Sequence, residues 1–389
     1  MSMMTRVERA ATTGFTVQVA PGSPGALDAL ASTAAADHGF LRAVWFKAAG
    51  AERTLIASDP SGRPLAAFPL VPAGPVQLGA NAVPGAYWPF RSAVLSADLG
   101  HRELAGILRD PAARRALGPL WRMGPFYADD RAGALLREAA SASGWTILTR
   151  RLGHSFALDL QAAREDGAWP RRSTLKRIRN YERQLAQAGP LTFDRVTGCD
   201  WSPAMLDDLA AVEENSWVAR DTDRSGAKFI NPANRAFWQA AVADPALADM
   251  LSAFILRIAG RPIAFCFDLN VGDLQYAVAG SYDEGFARQK VGKIATYRNI
   301  DWAIERGIAR IDWGAGDSGY KTEIGAVQGS EIIDCLFTRS PIAAALLRPK
   351  WEGAATREGE AAGLLPIGRR EMLVLGSLAT AATFGIMAE

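Results

Sequence analysis

The stretch from Asp273 to Lys321 constrains this chain most. It reads as an apolar strand (Leu274–Ala279), a basic turn, a helical pattern (Ala295–Arg306) and a strand ending in Asp312-Trp313-Gly314. Strand, helix and strand in this order are the unit of an α/β sheet. The turn carries Arg288-Gln289-Lys290-Val291-Gly292-Lys293-Ile294-Ala295. The first N–H groups of a helix lack internal partners and carry partial positive charge. With Gly292 to admit close backbone approach and basic side chains beside it, the turn predicts a pyrophosphate cradle.

These residues resemble the acyl-CoA-binding motif of the GNAT acyltransferase superfamily, whose loop reads Gln/Arg-x-x-Gly-x-Gly/Ala. Gln289, Gly292 and Ile294 take its places, and Ile294 departs from it where a small residue is usual. The order of Glu214-Asn215-Ser216-Trp217, Gly260-Arg261-Pro262-Ile263-Ala264, Asp312-Trp313-Gly314-Ala315-Gly316-Asp317, Tyr320-Lys321 and Gly325 is similar to the CelD-like GNAT group. The resemblance covers roughly Arg171 to Phe337. It implies acyl-CoA as co-substrate, no metal, and transfer of an acyl group to an amine. The cofactor contacts it implies are Arg288, Gln289, Val291, Gly292, Lys293, Ile294 and Ala295, with the strand edge at Val278 and Gly280 holding pantetheine.

A chain of 389 residues has room for two domains, and 49% hydrophobic residues supply a sizeable core. The net charge of +2 creates no field that demands nucleic acid, and none is expected as a partner. Cys199, Cys266 and Cys335 lie too far apart for a metal or disulfide pattern, which suits a reducing cytoplasm. The start has no apolar segment of the secretory kind. Met372–Ala388 is uncharged, at the short limit of a membrane span. It reads as a terminal helix packed on the fold, or as a shallow contact at the inner face of the membrane.

Gly62-Arg63-Pro64-Leu65-Ala66 and Gly260-Arg261-Pro262-Ile263-Ala264 each lie between apolar strand patterns. Two hairpins of one kind point to two copies of an α/β unit. The expected fold is therefore α/β: two tandem GNAT-like units with mixed sheets flanked by helices. The expected divisions are 1–150, lacking a cofactor motif, 151–345, carrying the transferase site, and 346–389, a C-terminal extension. Between the units, Pro170–Gln187 reads as a helix with Arg171, Arg172, Lys176, Arg177, Arg179 and Arg183. That face suits solvent, or an anion such as a CoA phosphate or an acidic lipid headgroup.

Amide formation from a thioester requires a base for the amine and an acid for the thiolate. Asp312 ends a strand beside Trp313, where open α/β sheets place their sites, and is a candidate base. Glu213 and Glu214 are two more, with Trp217 to dry the pocket and touch substrate. Tyr320 and Tyr282 are candidate acids, and Lys321 a phosphate or carboxylate anchor. Tyr87 and Arg91 replace the phosphate turn in the first half and are candidates to line the substrate cleft. His38, His101 and His154 are scattered and read as structural. The acceptor is expected to be the amine of an envelope lipid or sugar precursor, a sphingoid base among them, since bacterial ceramide synthases belong to the same broad group. Tandem GNAT units also resemble the peptidoglycan-bridge transferases, which use aminoacyl-tRNA. A non-catalytic part of a polysaccharide export machine is the third alternative.

Overall fold

The computed structural model describes residues 14–74, 78–86, 88–165, 169–317 and 319–353. Tyr87 and Met372–Ala388 lie outside them, with the expectations placed on both. The strands are β1 (Thr16–Pro21), β2 (Arg53–Ser58), β3 (Pro64–Pro72), β4 (Asn81–Ala82), β5 (Val94–Leu95), β6 (Leu120–Tyr127) and β7 (Thr146–Asp159), then β8 (Leu191–Thr197), β9 (Leu251–Ile258), β10 (Arg261–Val271), β11 (Leu274–Tyr282), β12 (Arg310–Ala315) and β13 (Val327–Thr338). They form one mixed sheet ordered β1-β2-β3-β4-β6-β13-β7-β12-β11-β10-β9-β8, with β5 paired to β3.

The order reads alike from both ends. Antiparallel strands (β1-β2-β3-β4 and β8-β9-β10-β11) lead to a parallel pair, β4 with β6 and β11 with β12. Each parallel pair then meets an antiparallel neighbour, β13 beside β6 and β7 beside β12. The two Gly-Arg-Pro turns hold matching places, closing β2-β3 and β9-β10. Gly62 and Gly260 there sit at φ 89° and 82°, where a Cβ would be strained. The last strand, β13, lies between β6 and β7 and pairs with both. One sheet thus runs through both halves, and the boundary expected at 150/151 falls inside β7.

This junction holds a buried charge cluster. Asp334 on β13 accepts from Arg122 at 2.7 Å and Arg150 at 2.6 Å, and Trp351 covers the Arg150 guanidinium at 4.4 Å. Burial works against the Asp334 carboxylate, but the charges of Arg122 and Arg150 outweigh it and hold its pKa low. Arg91, expected to line a substrate cleft, adds its charge to the same carboxylate.

Helices cover both faces of the sheet. The helix Val291–Glu305 packs on one through Tyr297, Ile300 and Ala303, and through Val291, Ile294 and Ala295. Its Asn299 donates to buried Asp268 on β10 at 2.8 Å, and burial pushes Asp268 up to about 7. The basic helix spans Arg172–Leu185, buries Thr174, Ile178 and Leu185, and turns its arginines and Lys176 to solvent. Glu182 binds it to Arg298 of the neighbouring helix at 2.6 and 2.8 Å. The opposite face carries an aromatic core that includes Trp45, Phe237, Trp238 and Phe267. Cys335 is buried, Cys266 partly so, and Cys199 exposed.

Candidate active site

The parallel pairing of β11 with β12 begins at Leu274↔Arg310 and ends at Tyr276↔Asp312. Beyond that pair the strands part. β11 also carries a bulge here, since Phe267 and Asp268 of β10 face Ala279 and Ala277 and leave Val278 without an opposite residue. Val278 therefore has a strand neighbour's residue opposite it on neither side, and the fork exposes main-chain groups that a sheet normally pairs.

The helix Val291–Glu305 starts beside the end of β11, where Gly292 meets the Tyr282 ring, and its Tyr297, Ile300 and Ala303 pack beside Ala277 and Trp313. Its N-cap, Lys290, adopts left-handed backbone, and no side chain caps the helix. The open N–H groups of such an end favour an anion. Arg288 and Lys290 are exposed, and Lys293 pairs with Glu323 of the helix Tyr320–Ile324. Gln289 Oε1 is buried without a protein partner. That orphaned acceptor fits a donor from a bound ligand better than a finished core.

Two expectations about this turn are corrected by packing. Gly292 does not leave open space for a ligand, because a Cβ there would stand 2.6 Å from the Tyr282 ring. The glycine admits Tyr282 instead, and Tyr282 is thereby part of the turn's support. Ile294 is fully buried with Val291 and Ala295, so the bulky residue in the place of a small one faces the core. For these three residues only the backbone remains to meet a ligand.

Asp312 stands where the strands part. It is 5% exposed, its Oδ2 accepts from the Tyr127 hydroxyl at 2.5 Å, and its Oδ1 accepts from the Gly314 N–H at 2.8 Å. Burial raises its pKa, and the Tyr127 hydrogen bond opposes that rise. Tyr320 opens the helix beyond β12 and is 45% exposed. Desolvation of its hydroxyl, with Cys266 and Asp317 nearby, raises its pKa and keeps it protonated. Asp317 caps that helix by accepting from Gly319, Lys321 and Thr322.

Lys321 is buried, and its Nζ donates to the carbonyls of Trp313, Gly314 and Ala315 at 2.9, 3.2 and 2.9 Å. Desolvation lowers its pKa to about 8. Three donors are all that an ammonium has. Lys321 pins the end of β12 and is not the free cation that phosphate contact needs. Glu213 is likewise occupied, its carboxylate accepting from Lys228, Phe229 and Ile230 N–H groups at 2.8, 2.7 and 2.9 Å. It anchors a loop. Glu214 ends the helix Pro203–Glu214 and Trp217 opens the next, Trp217–Asp221; both are exposed, and the neighbouring Asn215 carbonyl accepts from the Glu284 N–H before the basic turn.

The first half reaches the fork as well. Trp88 donates its indole N–H to the Ala277 carbonyl at 2.9 Å and packs on Tyr276, Phe90 and Tyr127. Behind Tyr127 and Tyr276 lies a narrow cleft also lined by Asp37, His38, Phe40 and Asp130. His38 Nε2 is 3.3 Å from Asp130 Oδ1. Burial opposes the imidazolium there, but the hydrogen bond and charge of Asp130, with the charge of Asp37, raise its pKa. Sequence reading missed Trp88, Tyr127 and this His–Asp pair. Each partner lies far along the chain, and no local pattern joins them.

Residues 172–322 match the acetyltransferase (GNAT) domain family. The matched segment runs from the basic helix through the fork to the helix that holds Tyr320. Three solved structures share the fold. The chain is similar to the C-terminal domain (DUF2156) described as that of a lysylphosphatidylglycerol synthetase from Agrobacterium fabrum, at 14% identity and TM-score 0.53, covering 87% of this chain and 97% of that one. It is similar to L-PGS from Bacillus licheniformis at 14% identity and TM-score 0.50, over 87% and 99% of the two chains. FemX matches at 12% identity and TM-score 0.52, over 76% of this chain and 90% of its own. No curated protein matches the sequence. The α/β architecture, a large mixed sheet flanked by helices, is GNAT-like.

Proposed function

We propose that this chain is an acyl-CoA-dependent N-acyltransferase working at the fork between β11 and β12. The observation that carries this reading is the buried Asp312 at the parting point, on strands that open beside an uncapped, basic helix start. The CoA pyrophosphate would lie at the N–H groups of Val291–Lys293, with Arg288, Gln289 and Lys290 around it. The pantetheine arm would run along Val278–Gly280, and the Val278 N–H would polarise the thioester carbonyl. Asp312 takes a proton from the acceptor amine, whose nitrogen forms the C–N bond as the C–S bond breaks. The leaving thiolate takes its proton from Tyr320. The acceptor is the amine of an envelope lipid or glycan precursor, a sphingoid base included, in line with the CelD-like pattern. No helix among the described residues is long and apolar enough to cross a membrane. The contact with an anionic leaflet in this reading is a peripheral one.

Calorimetry with CoA tests the donor, and lipid and glycan mass spectrometry of a deletion strain tests the acceptor. No CoA binding at millimolar concentration removes this reading. Asp312→Asn and Tyr320→Phe should each lower kcat in the reconstituted reaction.

The exposed cations of the helix Arg172–Leu185, tied by Glu182 to the donor helix, favour one second reading, aminoacyl-tRNA as the donor. Such contact would weaken steeply with salt. Transfer that needs aminoacyl-tRNA and ignores acyl-CoA would establish it.

A further inference from the structure

We infer that Trp88 is the floor of the acyl site and restricts the donor to short acyl groups, of acetyl to butyryl size. The inference rests on the donor reading above, and it concerns a residue outside the matched domain segment. Above the Tyr276↔Asp312 pair, β11 and β12 are no longer paired, and the gap between them is where an acyl chain would meet the sheet. Trp88 fills that gap from the far face. Its N–H is fixed to the Ala277 carbonyl on one side of the fork at 2.9 Å. On the other side its ring lies 3.1–3.2 Å from where a Cβ on Gly314 would stand. Gly314 is at φ 65°, so backbone and ring fit only with glycine there. The indole is 5% exposed and held edge-on by Phe90 at 4.8 Å, Tyr276 at 5.3 Å and Tyr127 at 6.3 Å.

A ring fixed in this way cannot rotate aside without losing a part-buried hydrogen bond and three aromatic contacts. A thioester carbonyl at Val278 would therefore direct its acyl chain at a wall within a few carbons. Removing the indole would open the space that it fills between Ala277, Gly314 and the rings of Phe90, Tyr127 and Tyr276.

The experiment is a chain-length series, acetyl-, butyryl-, octanoyl- and palmitoyl-CoA, measured by calorimetry on wild type and on Trp88→Ala. No acceptor is needed. Wild type should bind acetyl- and butyryl-CoA and lose at least ~10-fold in affinity by octanoyl-CoA, whose extra carbons find no room. Trp88→Ala should raise the octanoyl-to-acetyl affinity ratio by ~10-fold or more. If the alanine variant does not fold, Trp88→Leu leaves a smaller apolar floor and should move the ratio the same way, and the wild-type series stands alone as a test. Octanoyl-CoA bound as tightly as acetyl-CoA by wild type overturns the inference, as does a ratio that a folded variant leaves unchanged. Absence of binding by CoA itself would instead sink the donor reading.

Discussion

The Tyr127 hydroxyl, on the last residue of β6, donates to Asp312 Oδ2 at 2.5 Å, so a side chain from the first half sets the state of the proposed base in the second. Burial raises the Asp312 pKa and this hydrogen bond holds the rise in check. Tyr127→Phe removes the donor and keeps the ring. The Asp312 pKa should then climb further. A base acts only when ionised, so the acidic limb of kcat/KM should move to higher pH in the variant. Asp312→Asn removes the base and should lower kcat by ~10²–10⁴-fold. A Tyr127→Phe profile that overlays wild type would detach the tyrosine from the reaction.

His38 and Asp130 give the stability a pH signature. The folded pKa of His38 lies above the ordinary 6.5 because Asp130 and Asp37 outweigh its burial. The stability that the pair adds is complete below that ordinary value and fades as pH rises through the folded one. Asp130 is held low, so its own share is lost only in acid, below the window compared here. His38→Gln should cost ~1.5–3 kcal/mol at pH 5.5, the range of a hydrogen bond to a charged group, and much less at pH 9. Urea titrations at the two pH values measure it. An equal loss at both would mean that packing, not charge, is what His38 supplies.

Strand, turn and helix from Asp273 to Lys321 were legible in the sequence because each is a local pattern: apolar runs, glycines and a basic turn. The Gly-Arg-Pro echo was legible too, and it falls on matching hairpins of the sheet. The exchange that places β13 between β6 and β7 was not, because nothing in a strand's own residues names its neighbour. The same reason hid the site's far wall. Trp88 meets Ala277, Tyr127 meets Asp312 and His38 meets Asp130 only once the sheet is closed. Lys321 and Glu213 show the opposite case. Their types suit chemistry, but main-chain groups consume them.

Lys321 lends itself to a direct comparison of those two roles. Lys321→Met keeps the stem and leaves three carbonyls of the β12 end without their donor. Stability should fall by at least ~2 kcal/mol, since orphaned buried acceptors cost about 1–3 kcal/mol each. CoA affinity in the folded fraction should change far less than it does for the Arg288→Ala, Lys290→Ala double variant. A large loss of CoA affinity with stability intact would return Lys321 to the phosphate site.

Gly292 and Tyr282 make the donor turn a packing problem before it is a binding one. Any Cβ at 292 meets the Tyr282 ring at 2.6 Å, inside normal contact. Gly292→Ala must therefore shift the ring or the helix start. It should lose ~1–3 kcal/mol of stability, the range of overpacked positions, and weaken CoA because the N–H groups of Val291–Lys293 move with the helix. Tyr282→Ala alone leaves a cavity and should also destabilise. The double variant separates the causes: the alanine methyl then enters space that the ring has left. Its loss of stability should fall short of the sum of the two single losses by ~1 kcal/mol or more, a coupling that urea titration of all four proteins resolves. CoA affinity should recover in parallel if the turn's geometry is what holds the pyrophosphate. Additive losses would mean that the glycine is there for its backbone alone, and recovered stability without recovered CoA binding would move the pyrophosphate off this turn.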